Sequence, residues 1–199
     1  MKTITQNTIQ DAWRRAFRFI RKKGQKIKDN EEELIEALNL FLIINNPEEE
    51  KLVTESQKDI QHWMHENFNE IKKIPEIGNS WSYAWRLYDY QGVDQINWII
   101  EKLKSKPESK SATITMLQKA GEESYVPCIS LLDFKIRDNA LWLTVTCRSL
   151  DFGRKAIYNF YNLAELAKKV ANEINLKNIK LFIHAISAHI YKEDWNLDV

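Results

Sequence analysis

The sequence has few of the residues that mark several common protein classes. Among its 199 residues there are two cysteines, five glycines and four prolines. Two cysteines are too few for a disulfide framework, and we find no glycine-rich phosphate loop, internal repeat or low-complexity segment. The formal net charge is +1, with 29 basic and 28 acidic residues. Because such a balance creates no general attraction for polyanions, we expect no nucleic-acid partner.

Long apolar runs are also missing. The longest, residues 40–44, is far too short to span a membrane and is typical of a buried strand. The first residues, Met1 to Gln6, contain no apolar signal region. We therefore expect no membrane partner and a cytoplasmic location, where the cysteines stay reduced.

The remaining pattern predicts one α+β domain over residues 1–199. A hydrophobic content of 44% suits a single buried core. Strands and helices that do not alternate strictly predict a largely buried sheet flanked by helices. The predicted helices cover residues 8–23, part of 48–68, 93–103 and 157–174. The predicted strands cover residues 38–44, 112–117, 128–136, 140–147 and 179–186, while 138–139 form a hairpin turn and 75–90 a packed loop.

Cys128 is the most informative residue. It follows Pro127, which has no amide hydrogen and fixes the entry of the chain into a predicted strand. A free cysteine is more often a small buried hydrophobe, and Cys147 fits that interpretation. At Cys128, the downstream Arg148 would stabilise a thiolate, which is the nucleophilic form of cysteine.

Further polar residues stand at the ends of predicted strands. Arg148 and Ser149 place a planar charged fork beside a hydroxyl group, which suits a phosphate, although a surface arginine and a turn serine would look the same. His189 and Tyr191 share one strand face and could both reach one ribose hydroxyl, although alone they also suit a protein core.

Taken in order, these residues resemble the nucleotide pocket of thymidylate synthase. The matching elements are Pro127-Cys128, Arg148-Ser149, Asp151, Asn159 and His189-Ile190-Tyr191. The resemblance covers roughly residues 75–195. A weaker match at residues 12–13 and 36–39 is similar to the short archaeal-type branch of the family. The resemblance implies a thymidylate-synthase-like sheet and a homodimer.

The resemblance also implies a chemistry. In this family a cysteine thiolate attacks C6 of deoxyuridylate, so that C5 becomes a nucleophile toward a one-carbon unit from 5,10-methylenetetrahydrofolate. The resemblance implies that Cys128 is the nucleophile and that Glu36 moves protons through water. Asn159 would read uracil, because a carboxamide can donate to O4 while it accepts from N3–H, a pairing that cytosine reverses.

Glu36 follows three glutamates, a run that is typical of a solvated face, so a surface glutamate is the alternative interpretation of this residue. The same resemblance assigns the other residues to the phosphate (Arg148, Ser149 and Lys110 from the partner subunit), the ribose (His189 and Tyr191) and the pterin (Asp151 and Trp85). Trp81 takes the place of a family tyrosine, for which Tyr83 is a possible substitute. His62 and His65 share a helix face but lack a third ligand, so we predict no metal.

The sequence departs from the family at four places. Ile129 follows the nucleophile where many relatives have histidine, and a pair of arginines is reduced to Lys110-Ser111. Only Lys26 and Lys28 lie near the expected N-terminal phosphate arginine. The chain stops at Val199, where full-length relatives continue over folate.

In full-length relatives this last segment is a lid that keeps water out of the site. Its closure decides whether the one-carbon intermediate is reduced to a methyl group or captured by water to give a hydroxymethyl group. Three functions therefore remain open: thymidylate synthesis, hydroxymethylation of a pyrimidine nucleotide, and nucleotide binding without catalysis.

Overall fold

The computed structural model describes residues 2–47, 55–117 and 125–199. The strands in these ranges are β1 (Lys2–Gln6), β2 (Gln25–Asp29), β3 (Glu32–Ile44), β4 (Lys73–Ile74), β5 (Ser80–Trp81), β6 (Thr113–Thr115), β7 (Ile129–Arg137), β8 (Ala140–Asp151) and β9 (Asn178–Tyr191). The helices are α1 (Ile9–Lys23), α2 (Glu55–Asn69), α3 (Tyr83–Tyr88), α4 (Gln95–Ser105) and α5 (Ala156–Glu173). Within the described ranges no helix is both long enough and apolar enough to cross a membrane.

Seven of these strands form one mixed sheet in the order β1-β3-β9-β8-β7-β6, with β2 also paired to β3. The pairs β1–β3 and β8–β9 are parallel, and the other pairs are antiparallel. The helices flank this sheet, which confirms the predicted α+β class. Strands β4 and β5 form a separate ribbon.

Helix α1 begins and ends where the sequence predicts. The Thr8 hydroxyl oxygen accepts a hydrogen bond from a first-turn amide (3.1 Å) and so caps the helix. The Trp13 indole donates to the carbonyl of Phe152 (2.8 Å), which ties α1 to the chain just after β8. Gly24 ends the helix, and a Cβ there would lie 2.5 Å from Ile35 Cγ2. Only glycine therefore allows this close approach to β3.

Helix α5 is observed over residues 156–173, close to the predicted 157–174. Residues 156–164 are all buried, so the first half of the helix is enclosed on every side, whereas the second half exposes residues 165, 168, 169, 172 and 173. The helix packs against β8 and β9 and against α1, α2 and α4. The turn that leads into α5 is held by Asp151, whose carboxylate accepts the amide hydrogen of Gly153 (2.9 Å). The end of β8 and the start of α5 are thus fixed together.

The hairpin between β7 and β8 also confirms a prediction. Asp138 and Asn139 both have positive φ, 51° and 56°, as a two-residue turn between twisted strands requires. The turn pairs Arg137 with Ala140 and so sets the register of the two strands.

The sequence interpretation is wrong about the first part of the sheet. Strand β3 begins at Glu32 rather than at Leu38, because β2 pairs with its acidic end. In this hairpin Lys28 lies opposite Glu33. The run of glutamates is exposed, as a solvated face is expected to be, but two of its residues belong to a strand pair. Strand β1 was not predicted either; it is short and gains its stability by pairing with β3.

A second correction concerns the aromatic segment 75–90, which was predicted to be a packed loop. Residues 83–88 form helix α3, and the Ser82 hydroxyl caps it by accepting from the amide of Trp85 (3.2 Å). The helix is too short for its periodicity to stand out in the sequence. The predicted helix within 48–68 is observed from Glu55, and residues 48–54 lie outside the described ranges.

Four neighbouring strands depart from regular pairing at one level of the sheet. The β8–β9 and β3–β9 ladders keep their register there but leave out Arg148, Ile186 and Asn39. Asn39 has a left-handed φ of 55°. Strand β7 carries one extra residue between Ile129 and Leu131 relative to β8. We call the row of Asn39, Arg148 and Ile186 the kink level.

The alternation of core-facing residues changes phase at the kink level. On its N-terminal side, odd-numbered residues of β8 and β9, such as Cys147 and Ala185, are fully buried. Beyond it, even-numbered residues, such as Leu150 and Ala188, take their place. Because strand side chains alternate with a period of two, a shift of one residue reverses which set faces the core. Residues 149, 151, 187 and 189 therefore no longer face the apolar core.

Candidate active site

Three ionisable side chains form a row across β3, β9 and β8 beyond the kink level. His189 pairs in register with Glu36 on one side and with Asp151 on the other. Residues directly opposite each other in a sheet point to the same face. The Ser187 hydroxyl donates to the Glu36 carboxylate (2.5 Å) and lies 3.4 Å from Nδ1 of His189. The Ser187 hydroxyl therefore links Glu36 to His189.

Burial shifts the pKa of Asp151 and of His189 in this row. It raises the pKa of Asp151, although the nearby His189 and the amides of Gly153 and Arg154 oppose the shift. Burial lowers the pKa of His189, against the attraction of the Asp151 carboxylate. A neutral imidazole both donates and accepts hydrogen bonds. The neutral His189 ring can therefore donate a hydrogen bond from one nitrogen and accept one at the other.

Cys128 lies next to this row, where the chain enters β7. Its half-buried sulfur accepts a hydrogen bond from the Ser149 hydroxyl (3.6 Å). Ser149 in turn accepts from Nη1 of Arg148 (3.1 Å), whose Nε also donates to the carbonyls of Val126 (3.1 Å) and Pro127 (3.2 Å). One guanidinium group therefore holds both the loop that carries the thiol and the hydroxyl that contacts it.

Cys147 has a different environment, although it is a direct neighbour in the sheet. It pairs with Ile129 in the β7–β8 ladder and is fully buried. Burial raises the pKa of the Cys147 thiol, and the charge of Cys128 adds to that effect. A thiol in this position behaves as a small apolar side chain.

Asn159 lies in the first turn of α5 and is only 4% exposed. Its Nδ2 donates to the carbonyl of Lys155 (3.2 Å), while its Oδ1 is buried and has no hydrogen-bond partner among the described residues. An unsatisfied buried carbonyl oxygen is costly, and a donor group on a ligand would remove that cost. The Asn159 Oδ1 therefore has room for one more hydrogen bond, a property that it shares with Oδ1 of Asn162 one turn later.

A cleft of about 350 Å³ opens at the end of β8 and β9. Its lining residues come from the strand ends and the turns that follow: Glu32, Glu33, Asp151, Arg154, Lys155, Tyr191, Lys192 and Glu193. Several of the charges are paired, since Arg154 contacts Glu193 (2.8 Å) and Lys192 contacts Glu33. Asp151 and Tyr191 connect the cleft to the row, because the Tyr191 ring meets His189 edge-on at 5.1 Å.

A second cavity of about 350 Å³ lies between α2 and α5. It contains His62 and His65, which pair with Glu66 (3.2 Å) and Glu165 (3.6 Å) respectively. Among the described residues, no three His, Cys, Asp or Glu side chains are grouped so as to hold a metal ion. The Lys155 amine, at the cleft by the end of β8, lies 5.8 Å from the centre of the Trp63 ring on α2.

Two predicted site residues lie elsewhere. Trp85 belongs to an aromatic cluster, stacked on Trp81 at 4.9 Å and edge-on to Tyr90 at 5.6 Å. Lys110 is exposed in the segment before β6, at the edge of the sheet. Their assigned roles stay predictions.

Comparison with known proteins identifies the family. The model of the family described as thymidylate synthase matches residues 7–197. The chain belongs to the thymidylate synthase family. Similar proteins, each with the name "Putative thymidylate synthase", occur in Methanosarcina barkeri (35% identity), Methanosarcina mazei (33%) and Methanothermobacter marburgensis (32%). The alignments cover 98%, 98% and 95% of this chain and 92% of each relative.

Membership of the thymidylate synthase family indicates a methyltransferase enzyme with a folate co-substrate. The structure shows where this member keeps basic residues near the expected phosphate. Lys26 lies over the ring of Trp195 (4.8 Å), and Lys28 pairs with Glu31 (3.4 Å). Arg148 thus stands beside Cys128 while the two lysines make other contacts.

The sequence interpretation missed two residues in this thymidylate synthase site. Ser187 lies two residues before His189 on the same strand, a spacing that puts both on one face. Tyr125 lies three residues before Cys128, and its hydroxyl is 3.7 Å from the sulfur. Its only sequence signal is that it precedes Val-Pro-Cys. A side chain that approaches from an irregular segment leaves no periodic trace.

Proposed function

We propose that this protein transfers a one-carbon unit from 5,10-methylenetetrahydrofolate to C5 of deoxyuridylate, through an adduct between Cys128 and C6 of the uracil ring. The observation that carries the proposal is the contrast between the two thiols. Cys128 is half-buried and accepts a hydrogen bond from Ser149, whereas Cys147 is sealed in the core. A thiol that must become charged and reach a ligand needs a position like that of Cys128, which is partly open and beside a hydrogen-bond donor.

In the proposed reaction the Cys128 sulfur bonds to C6, and the electron pair of the C5–C6 double bond moves toward C5 and O4. Asn159 would bind the base, with its unsatisfied Oδ1 accepting from N3–H and its Nδ2 donating to O4. Arg148 would bind the phosphate at the strand end, while Ser149, whose single hydrogen is directed to the Cys128 sulfur, would stay on the nucleophile. Glu36 and His189 would handle the proton that leaves C5, since Ser187 links them.

Folate would supply the one-carbon unit and, for a methyl product, the hydride. Asp151 would bind the pterin from the cleft at the end of β8. Trp85 is the aromatic residue assigned by family pattern. Trp63 is a second candidate on positional grounds, because its ring lies beside Lys155, which lines the same cleft as Asp151.

We also propose a homodimer formed through the open face of the sheet. The face away from the helices carries stacked rings, with Phe41 on His184 at 4.1 Å and Trp142 against Phe182 at 4.9 Å. These side chains are half-buried in the single chain. A second copy would cover them, and Lys110 of that copy would contribute to the phosphate site.

Release of tritium from C5 tests the proposed reaction. The protein is incubated with deoxyuridylate tritiated at C5, with and without methylenetetrahydrofolate, and the product is identified by mass. Cys128→Ser and Cys147→Ser serve as a matched pair, because they remove one thiol each from adjacent strands. We expect folate-dependent release by wild type and Cys147→Ser but not by Cys128→Ser.

The product mass separates the alternatives. A methylated product indicates thymidylate synthesis, and a hydroxymethylated product indicates capture by water. If the wild-type protein binds deoxyuridylate but neither releases tritium nor forms product, the proposed reaction is wrong and a nucleotide-binding function takes its place.

A further inference from the structure

The sulfur of Cys128 has a second hydroxyl neighbour. The phenol oxygen of Tyr125 lies 3.7 Å from Sγ, close to the 3.6 Å of the Ser149 hydroxyl. Tyr125 is half-buried and stands at the start of the segment that leads through Pro127 into β7. Two hydroxyl groups from different parts of the chain therefore converge on one sulfur atom.

The hydrogen positions can be deduced for a charged sulfur. Nη1 of Arg148 donates to the Ser149 oxygen (3.1 Å), so the Ser149 hydrogen is directed to the sulfur. Burial, reinforced by the nearby Cys128, raises the pKa of Tyr125. The phenol therefore keeps its proton at neutral pH and, beside a thiolate, can only donate. Donors that face the charged form stabilise that form.

Two other tyrosines lie near Cys128 but make different contacts. The hydroxyl of Tyr83 accepts the amide hydrogen of Ile129 (3.2 Å), which fixes the first residue of β7. The ring of Tyr191 packs edge-on against His189. Tyr125 is thus the phenol whose hydroxyl reaches the sulfur.

We propose that Tyr125 donates a hydrogen bond to the Cys128 thiolate and, together with Ser149, holds the sulfur in position for attack. The importance of this contact for turnover rests on the proposed function, but the contact itself does not. It makes Tyr125 a residue that touches the reacting atom and that the family pattern does not assign.

Alkylation of Cys128 by iodoacetamide as a function of pH tests the proposal, with the modified residue identified by peptide mass. Tyr125→Phe keeps the ring and removes only the hydroxyl. We expect the midpoint of the alkylation profile to move up by about one pH unit, which is a tenfold lower rate on the acid side of the midpoint. Ser149→Ala should move it in the same direction.

Tyr90→Phe is the matched control, because it removes a phenol whose hydroxyl bonds elsewhere, to the carbonyl of Leu117 (2.7 Å). Its profile should coincide with that of wild type. Replacement of Tyr125 by 3-fluorotyrosine provides a second measurement that preserves packing. Since fluorination makes the phenol a stronger donor, the midpoint should move down. A loss of packing could not produce opposite shifts from these two changes.

An unchanged midpoint in both Tyr125→Phe and the fluorinated protein would overturn the proposal, and so would shifts of the same sign. Alkylation needs neither nucleotide nor folate, so the result is independent of the proposed reaction. If the midpoints move as expected while wild type releases no tritium, the contact stands and the proposed function fails. If wild type releases tritium but the alkylation midpoints of the Tyr125 variants do not move, the proposed function stands and the contact is wrong.

Discussion

The central strands have different properties on the two sides of the kink level. On the N-terminal side of β8 and β9, the residues that face the core are apolar and fully buried, such as Val145 and Ile183. On the other side, the same alternating positions carry Ser149, Asp151 and His189. The backbone pairing continues through both halves in one register.

The difference shows how one sheet supports both a core and a site. If the alternation had continued unchanged, these polar residues would occupy core-facing positions at a high desolvation cost. The change of phase assigns the core to Leu150, Ala188 and Ile190 instead. The polar side chains are then held by a well-packed sheet without forming part of its apolar interior, which is how rigid elements position reacting groups.

The largest expected effect is a difference between the two cysteines near the kink level. Cys128→Ser should lower kcat by about 1,000-fold or more, because the nucleophile is lost. Cys147→Ser should keep turnover but lower the free energy of unfolding by about 1–3 kcal/mol, since it buries a hydroxyl. Turnover assays and urea unfolding measure the two effects. A 5-fluoro-deoxyuridylate adduct that maps to Cys147 would reverse the assignment.

The second prediction concerns the exposed apolar residues at the kink level. Leu38 is 61% exposed and Ile186 is 41% exposed. In the proposed dimer both are covered, and burial of such a side chain contributes about 1.5–3 kcal/mol. Leu38→Glu combined with Ile186→Glu should therefore weaken association by about 100-fold or more. Light scattering measures the mass, and a wild-type protein that is monomeric at micromolar concentration contradicts the proposed dimer.

The third prediction compares two buried asparagines of α5. Asn159 and Asn162 are 4% and 6% exposed, and each donates to a carbonyl one turn earlier while its Oδ1 lacks a partner in the described chain. Asn159→Asp should reduce the preference for deoxyuridylate over deoxycytidylate, by about 1–3 kcal/mol. Asn162→Asp should leave the preference unchanged.

Calorimetric titration with the two nucleotides and their nucleosides measures this preference. The nucleosides should bind far more weakly than the monophosphates if Arg148 binds phosphate. Equal affinity of the wild-type protein for both bases would remove Asn159 from the site.

The fourth prediction tests the kink level itself. Asn39 has a left-handed φ of 55°, which a β-branched residue adopts poorly. Asn39→Val should lower the free energy of unfolding by about 1–2 kcal/mol and also reduce turnover, because the strand would straighten next to Glu36. Asn39→Gly permits the same backbone and should retain more activity, although it loses the contact with His184 (3.0 Å). If both variants behave alike, backbone strain is not the cause.

The smallest effect is a change in the pH dependence of stability. Because the pKa of Asp151 is raised in the folded protein, its contribution to the free energy of unfolding is fully present below pH 3.8. That contribution is lost as the pH rises through the pKa of the folded protein. Asp151→Asn should therefore become more stable relative to wild type as pH rises above 3.8. Urea unfolding across acidic and neutral pH measures this difference.

The effect of His189 on the free energy of unfolding changes with pH in the opposite direction, because burial lowers the pKa of its imidazole. Its contribution is present above pH 6.5 and is lost as pH falls through the folded value. His189→Asn should flatten the stability profile below that pH. If the stabilities of Asp151→Asn and His189→Asn change with pH in parallel, the opposite pKa shifts of the two residues are wrong.

Much of the fold could be predicted because its signals are local. The cap and apolar face of α1, the apolar length of α5 and the Asp138-Asn139 turn each lie within a short stretch of chain. The β2–β3 hairpin and α3 could not be predicted in this way. Glutamates in a strand and aromatic residues in a one-and-a-half-turn helix contradict local propensity, and only pairing and packing with distant residues stabilise them.

For the candidate site, the sequence alone determined the order of the chemical groups and so the resemblance that named Cys128, Arg148 and Asn159. The tertiary structure decided which groups meet: it joins Glu36 to His189 through Ser187 and brings Tyr125 to the sulfur of Cys128. The physical reason is that a motif records spacing along one chain segment, whereas contacts between strands depend on register. A one-residue change of phase at the kink level reverses which side chains face the core. The sequence shows it within β8 and β9 as apolar residues that switch from odd to even positions, but not which distant side chains it brings together.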